Sequence, residues 1–402
     1  MAEPMLTPGD EAEVAGIVRA AYEDKAPLAI CGAGTKRALG RATEAARDLS
    51  LAALSGVTLY EPDELVLSAR AATPLCEIEA LLDAHHQQLA FEPMDYALLL
   101  GGAPNAATLG GVIAVNASGS RRIKAGAARD HLLGFRCVTG RGEIVKSGGR
   151  VMKNVTGFDL SKLICGSYGT LAVVTEATVK VLPRADSEET LLLLGLHEAR
   201  ALAALRRASG TPCEASSLAM LPAGAAPLAL AANAAAIRLE GPRVSVEKRR
   251  EDLRAALSDF GGAVEILTGE DSLALWRALR DAAPVAATPG AVWRISVAPT
   301  DGFAALDDAR AQTPAQAWFF DWAGGLLWLN VAEDDGASAD ALRAIVTGLG
   351  GHATLIRAAA QTRACVDVFH PQPAPLAALT QRVKESFDPA HILERGRMRA
   401  EF

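Results

Sequence analysis

The chain has 402 residues, 50% of them apolar and 22% charged, with a net charge of −7 and a pI near 5.6. That length gives room for two or three domains with cores of their own, and the acidic balance argues against a nucleic-acid partner, which calls for a basic face. No apolar run approaches the roughly 20 residues that a bilayer span needs. The opening MAEPMLTPGDEAE lacks the basic and apolar regions of a signal peptide, so a cytoplasmic protein is expected.

Cys31, Cys76, Cys137, Cys165, Cys213 and Cys365 form no C-x-x-C pair, and the histidines show no ligand spacing. Neither a zinc site nor an iron–sulfur cluster is therefore expected from this chain, and its metal ligands are set at none.

Thr7-Pro8-Gly9-Asp10 reads as a capping box with proline at the first helical position. The helix that follows carries Val14, Ile17, Val18, Ala21 and Tyr22 on one face. Leu28-Ala29-Ile30 reads as a short buried strand running straight into Cys31-Gly32-Ala33-Gly34-Thr35-Lys36-Arg37. A strand, a glycine turn and then basic residues suit a phosphate: backbone N–H groups meet the oxygens and a cation adds charge. An ordinary turn between two elements is the alternative. The turn is not a Rossmann fingerprint, since the third glycine is missing, nor a P-loop, since it has no G-K-[ST].

Strands are expected at 57–60 and 65–69, then a helix opened by Thr73-Pro74 with Leu75, Ile78, Leu81 and Leu82 as its core stripe. Residues 101–119, GGAPNAATLGGVIAVNASG, are dense in glycine and alanine and free of charged side chains. Such a stretch lets backbone pass close to something bulky, and Leu109, Val112, Ile113 and Val115 give it a strand-like texture. Arg121, Arg122 and Lys124 read as a solvated basic cluster. A hairpin is expected at 132–139 and 143–146, and a second glycine turn, Gly166-Ser167-Tyr168-Gly169-Thr170, leads into a strand from 171. Three small-residue turns that each abut a strand fit one ligand touched by several backbone loops.

Beyond residue 185 strands and helices alternate. Strands are expected at 190–196, 236–240, 264–267, 292–297, 318–322, 326–331 and 351–357, with helices at 198–208, 244–260, 271–281 and 376–387. Glu247 to Asp252 reads as a mixed-charge solvated helix surface. This portion is expected to be an antiparallel sheet with helices on one face.

CGAGT at 31–35, TLGGVIAVNASG at 108–119, GSYGTLAVVTEATVKVLP at 166–183 and FDPAHILERGRM at 387–398 together resemble the FAD-linked oxidase family, which has the vanillyl-alcohol-oxidase or PCMH-type flavin fold. Within that family, the KNVTGFDLSKLICGSYGTLAVVTE run is similar to that of the FAD-binding subunits of bacterial glycolate oxidase (glycolate dehydrogenase). The resemblance implies an α+β chain. A PCMH-type two-subdomain FAD-binding domain would cover 1–185, a shortened α+β cap domain with an antiparallel sheet 186–375, and a C-terminal segment 376–402 would return to the FAD domain.

By the same resemblance, Cys31, Gly32, Ala33, Gly34, Thr35 and Lys36 would hold the FAD pyrophosphate. Thr108, Gly110, Gly111, Asn116, Ala117 and Ser118 would line pyrophosphate and isoalloxazine, and Gly169 and Val173 would meet the ribityl or adenine portion. Covalent-flavin members carry histidine near the place of Thr35, so FAD is expected to be non-covalent. The family's H-x-G-D-G-N-x-H motif has no counterpart here, where the strand reads GGLLWLN at 324–330. No catalytic residue is assigned. The implied partners are a homologous FAD-linked oxidase subunit carrying metal and base, and an iron–sulfur subunit. The implied substrate is a small 2-hydroxy acid, and the implied place is the cytoplasm or the inner-membrane surface through those partners.

Two rivals stay open. One is a stand-alone FAD-dependent 2-hydroxy-acid dehydrogenase using Arg357, His352 or Lys153. The other is a flavin-fold scaffold without catalysis, suggested by Glu394 where the family's closing motif has asparagine.

Overall fold

The computed structural model describes residues 5–150, 158–333 and 336–402. They fall into two compact units. Unit 1 takes the described residues of Met1–Ala117, Gly126–Pro183 and Asp367–Phe402, and unit 2 those of Ser118–Ala125 and Arg184–Val366. The fold is α+β. Where the sequence reading places the return to the first domain at 376, unit 1 takes up the chain again at Asp367, and it gives up the eight-residue run Ser118–Ala125 to unit 2. Among the described residues no helix is long and apolar enough to cross a membrane.

Unit 1 opens with the helix Glu11–Asp24, whose N-cap is Asp10: its carboxylate accepts from the Glu13 N–H at 2.9 Å. The capping box expected at Thr7 with Pro8 in the first turn is therefore displaced. The helix begins three residues later, because the Asp10 carboxylate takes the Glu13 N–H, one of the free donors of the first turn. Leu28–Cys31 and Arg47–Ser50 pair in parallel. Five further strands form an antiparallel sheet in the order Val57–Glu61, Val66–Arg70, Ala172–Lys180, Leu132–Thr139, Ile144–Gly148. The helix Glu11–Asp24 packs Val14 and Val18 with Leu28, Leu49, Val138, Val173 and the tail residues Ile392 and Leu393 into one buried cluster. Glu11 fixes the helix to the sheet by accepting from Thr175 Oγ1 at 2.6 Å and pairing with Arg136.

The stretch 101–119 is not a strand at its centre. Leu109–Val115 is a helix, with Thr108 as N-cap accepting from the Gly111 N–H at 3.3 Å. A short apolar run cannot be told from a buried helix by periodicity, and here the cap decides. Gly110 permits close approach: a Cβ there would lie 2.8 Å from the Ala71 carbonyl oxygen, to which Gly110 N–H donates at 2.7 Å.

The tail is bound by a charge pair without solvent access. Lys384, on the helix Ala374–Phe387, donates to Asp388 Oδ2 at 2.6 Å, Thr170 O at 2.7 Å and Leu393 O at 3.1 Å. Asp388 in turn accepts from the N–H groups of Ile392 and Leu393, at 3.1 and 2.8 Å. Gly140 is pressed against this turn, where a Cβ would sit 2.7 Å from the Asp388 Cα.

Unit 2 contains one eight-stranded antiparallel sheet, built from two copies of a β-α-β-β-α-β sequence. In the first copy the strands are Ser187–Leu194, Ser217–Leu221, Ala234–Gly241 and Ala263–Thr268; in the second, Ala291–Ser296, Ala315–Asp321, Leu326–Val331 and His352–Arg357. Each copy has the order 4-1-3-2, and the two join edge to edge through their second strands at Met220 and Phe320.

The strand Ser217–Leu221 and the helices Gly302–Gln312 and Ser338–Gly348 are absent from the sequence reading. The strand is buried along its whole length and so shows no alternation. Arg121 departs from expectation as well. It is 8% exposed, and its Nε donates to Glu240 Oε2 at 2.9 Å within unit 2.

Removing the Asp388 carboxylate leaves the Lys384 ammonium buried without an anion. Asp388→Ala is expected to destabilise unit 1 by about 3–5 kcal/mol, read as a lowered denaturant midpoint. Replacing both residues by apolar ones removes the unpaired charge but also the partners of four backbone groups, so it is expected to recover only part of that loss.

Candidate functional site

A cleft in unit 1 is walled by four segments. They are the turn from Cys31 to Arg37, the start of the helix at Thr108, Gly110 and Gly111, the turn Ser167–Gly169 with Val173 behind it, and the tail residues Glu394 and Arg397.

Each wall has a local cause. The strand Leu28–Cys31 ends where its ladder with Arg47–Ser50 ends, and the turn beyond makes few bonds of its own. Arg37 N–H donates to Gly34 O at 3.2 Å, and Arg37 ties outward to Asp48 at 3.0 Å. The N–H groups of Gly32, Ala33, Gly34, Thr35 and Lys36 donate to no acceptor among the described residues. The second glycine turn docks on the helix Leu109–Val115, with Gly166 N–H to Ile113 O at 3.0 Å and Tyr168 N–H to Ala114 O at 2.8 Å.

Two buried cations serve this wall. Lys36 is 7% exposed, and its Nζ lies 3.7 Å from where a Gly111 Cβ would be and 3.3 Å from Thr35 Oγ1. Burial pulls its ammonium down to about 8, with Asp95 drawing it back up. Arg397 donates to Lys36 O at 2.9 Å and Arg37 O at 3.3 Å, so it holds the turn from behind. Its Nε is buried and has no acceptor among the described residues. Open N–H donors in series beside a desolvated ammonium suit an anion.

Glu394 is the exception in charge. It is 2% exposed, accepts from Ile30 N–H at 2.6 Å and Thr43 Oγ1 at 3.1 Å, and faces Arg397 at 3.5 Å. The tail adds to the strand Leu28–Cys31 as a parallel neighbour, with Leu28 N–H to Ile392 O at 2.7 Å and Glu394 N–H to Leu28 O at 3.0 Å. At Glu394 the backbone turns to φ 47°, and its side chain takes Ile30, the next donor of the ladder.

The residues expected from the sequence divide. Cys31, Gly32, Ala33, Gly34, Thr35, Lys36, Thr108, Gly110, Gly111, Gly169 and Val173 line this one cleft. Asn116, Ala117 and Ser118 do not. Asn116 caps the helix in the left-handed conformation and accepts from Arg129 N–H at 3.0 Å, Ala117 is buried at 2% exposure, and Ser118 belongs to unit 2. The chain turns away at the helix C-cap, Asn116, the first residue of the run 116–118 that the resemblance assigns to the ligand.

Thr108, Gly110 and Gly111 reach the cleft, yet the first N–H groups of their helix are taken: Leu109 by Thr73 O, Gly110 by Ala71 O and Gly111 by Thr108 Oγ1. The open donors belong to the turn 32–36. Glu394, Arg397, Ser167, Tyr168, Ala71 and Leu51 also line the cleft and are missing from the expected binding residues. Of these, Ser167, Tyr168, Glu394 and Arg397 stand in motifs that the resemblance had marked.

Of the groups offered for a stand-alone enzyme, Lys153 lies outside the described residues. Arg357 donates to Gly290 O at 3.0 Å, Ala286 O at 2.7 Å and Thr288 O, so its guanidinium braces the backbone of unit 2. His352 is exposed at the start of its strand.

A family model described as an FAD binding domain matches residues 2–148. Glycolate oxidase subunit GlcE of Escherichia coli is 37% identical over 386 residues, 96% of each chain. Glycolate oxidase subunit GlcD of Bacillus subtilis is 30% identical over 195 residues, 48% of this chain and 40% of that protein. In three dimensions, 4-ethylphenol oxidase from Gulosibacter chungangensis superposes with a TM-score of 0.73 at 14% identity, over 99% of this chain and 89% of that one, a likeness of fold. The cofactor is FAD, and the open N–H array, Lys36 and Arg397 suit its diphosphate.

Anion binding requires Lys36 to be protonated, so FAD affinity is expected to fall as pH rises past about 8. Lys36→Met is expected to weaken FAD by about tenfold or more at neutral pH and to flatten that dependence. Flavin fluorescence quenching against pH checks both.

Proposed function

Since the chain belongs to the FAD-linked oxidase family, as a relative of glycolate oxidase subunit GlcE over nearly its whole length, we propose that it is the FAD-binding subunit of an assembly that oxidises glycolate to glyoxylate. What carries the reading is that full-length match together with a cleft whose open N–H groups and buried cations suit a diphosphate. Bound FAD supplies a two-electron acceptor for oxidising an alcohol carbon.

The chain's own residues bind and orient. The N–H groups of Gly32 to Lys36 meet the diphosphate, Lys36 adds charge, and Arg397 keeps the turn in place from behind. Val173, Val174, Ala172, Ala114 and Val115 offer an apolar wall. Thr35 stands at the expected attachment position, and a threonine hydroxyl supports non-covalent binding.

No cluster of metal-ligating side chains occurs among the described residues. Within the proposal, the metal and the base that act on glycolate come from a homologous flavoprotein subunit, and electrons leave through an iron–sulfur subunit. The names of the relatives GlcE and GlcD, both glycolate oxidase subunits, support a multi-subunit enzyme. Glu394 counts against the scaffold rival, because the carboxylate supplies the acceptor that the ladder to Ile30 needs and leaves the cleft formed.

The purified chain is expected to show a flavin absorption band that persists when glycolate is added without oxygen and bleaches once the partner subunits are present. Bleaching by the chain alone would relocate the chemistry to it. Absence of any flavin band after FAD is supplied would sink the cofactor role.

A further inference from the structure

Lys36 brings a desolvated ammonium to the cleft, and its contacts leave it short of an anion. Among the described residues its Nζ has one hydrogen bond, to Thr35 Oγ1 at 3.3 Å, for three N–H donors, and no carboxylate at ion-pair distance. The Tyr96 ring, with its centroid 5.9 Å from Nζ, and the helix start at Gly111 complete its surroundings. The other charges at this wall are engaged elsewhere. Arg37 turns outward to Asp48, and the Arg397 guanidinium takes the Lys36 carbonyl and faces Glu394. Asp95, directly before Tyr96, is the acid whose charge acts on the ammonium.

Asp95 does not line the cleft, and backbone holds its carboxylate in place. Oδ1 accepts from Ala97 N–H at 3.0 Å and Oδ2 from Asn105 N–H at 2.8 Å. The two bonds close the stretch 97–105, whose exposed end passes the diphosphate turn: a Cβ on Gly102 would lie 3.9 Å from Thr35 Cα. The distance from Asp95 to Lys36 is thereby set by the chain and not by a flexible side chain. A carboxylate in contact would fill the N–H donors that a diphosphate needs. One set back supports the charge and leaves them open.

We propose that Asp95 is a positioning residue for the cofactor: it holds the loop beside the diphosphate turn and supplies, from outside the cleft, the negative charge that Lys36 lacks in contact. It acts through Lys36 and not on FAD itself. Burial pulls the Lys36 ammonium down to about 8, and Asp95 opposes that pull. Without the Asp95 charge the ammonium gives up its proton at lower pH, and the diphosphate loses its cation there. The inference rests on the flavin reading of the site.

The full-length chain, freed of flavin, is titrated with FAD by fluorescence quenching at pH values on either side of 8. Asp95→Asn is expected to move the midpoint of the affinity loss down by about half a unit or more, which weakens FAD about threefold on the alkaline limb. Lys36→Met keeps every other titrating group, and adding Asp95→Asn to it is expected to leave its pH profile unchanged. Asp95→Glu, which keeps the charge, is expected to keep most of the wild-type midpoint. Should the asparagine variant fail to fold, Asp95→Ser takes its place. An unmoved midpoint overturns the inference even where affinity falls at every pH, since a loosened loop alone does that. A profile displaced equally in the Lys36→Met background overturns it too, because Lys36 is then not the group acted on. Either result in a chain whose wild type binds FAD sinks this inference alone, whereas a wild type that binds no FAD sinks the function proposed above with it.

Discussion

A lysine ammonium with no access to water needs an acceptor for each of its three N–H groups and an anion beside it. Lys384 has all of these: Thr170 O, Leu393 O and Asp388 Oδ2. Burial alone pulls this ammonium below the usual lysine range, and Asp388 draws it back. The pair is 0% exposed on both sides, so it specifies geometry more than it adds stability: a buried charge tolerates few arrangements in which every bond is made. It anchors the tail at the second glycine turn. Nine residues after Lys384 the same tail runs beside the first strand, and the site follows from that.

With the tail in place, the strand Leu28–Cys31 lies between Arg47–Ser50 on one side and Ile392 to Glu394 on the other. A strand paired on both sides projects a fixed end, and the turn from Gly32 to Lys36 inherits its direction. Arg397 then takes the carbonyls of Lys36 and Arg37, leaving the N–H side of the turn open. The tail thus fixes the diphosphate turn by a strand ladder, a carboxylate in the ladder and a guanidinium behind the turn. Burying Lys36 costs solvation, visible in its lowered proton affinity; Asp95 offsets part of that cost, and a bound anion would offset more.

Unit 2 shows a different economy of charge. Arg121 and Arg238 meet Glu240 and Glu188 in a buried cluster; burial opposes the Glu240 carboxylate, yet the two guanidiniums hold it below the ordinary range. Ser272 Oγ donates to Glu188 Oε1 at 2.7 Å, and Thr190 Oγ1 hydrogen-bonds Ser272 Oγ at 2.7 Å. Such a cluster costs desolvation and is retained only where its bonds are made. Here it fixes the run Ser118–Ala125 within unit 2, directly after the helix whose start lines the cleft. Asn116 caps that helix, and the chain leaves the site there.

The sequence by itself determined the turn from Cys31 to Lys36, the place of Gly169 and Val173, and most strands and helices. These are local matters: glycine in a turn, a strand running into it and a basic residue after it act within a few positions of each other. It also carried the family likeness, because the motif segments stand in order. Only tertiary structure decided the rest. Leu109–Val115 is a helix because Thr108 caps it and Gly110 fits against Ala71, facts about packing that a short apolar run does not encode. Asn116, Ala117 and Ser118 leave the cleft because a left-handed cap redirects the chain. Glu394 meets Ile30 across 364 residues of sequence, and Arg397 meets Lys36 across 361. No periodicity or spacing records such pairs, since hydrogen bonds of that range exist only once the core has brought the two ends of the chain together.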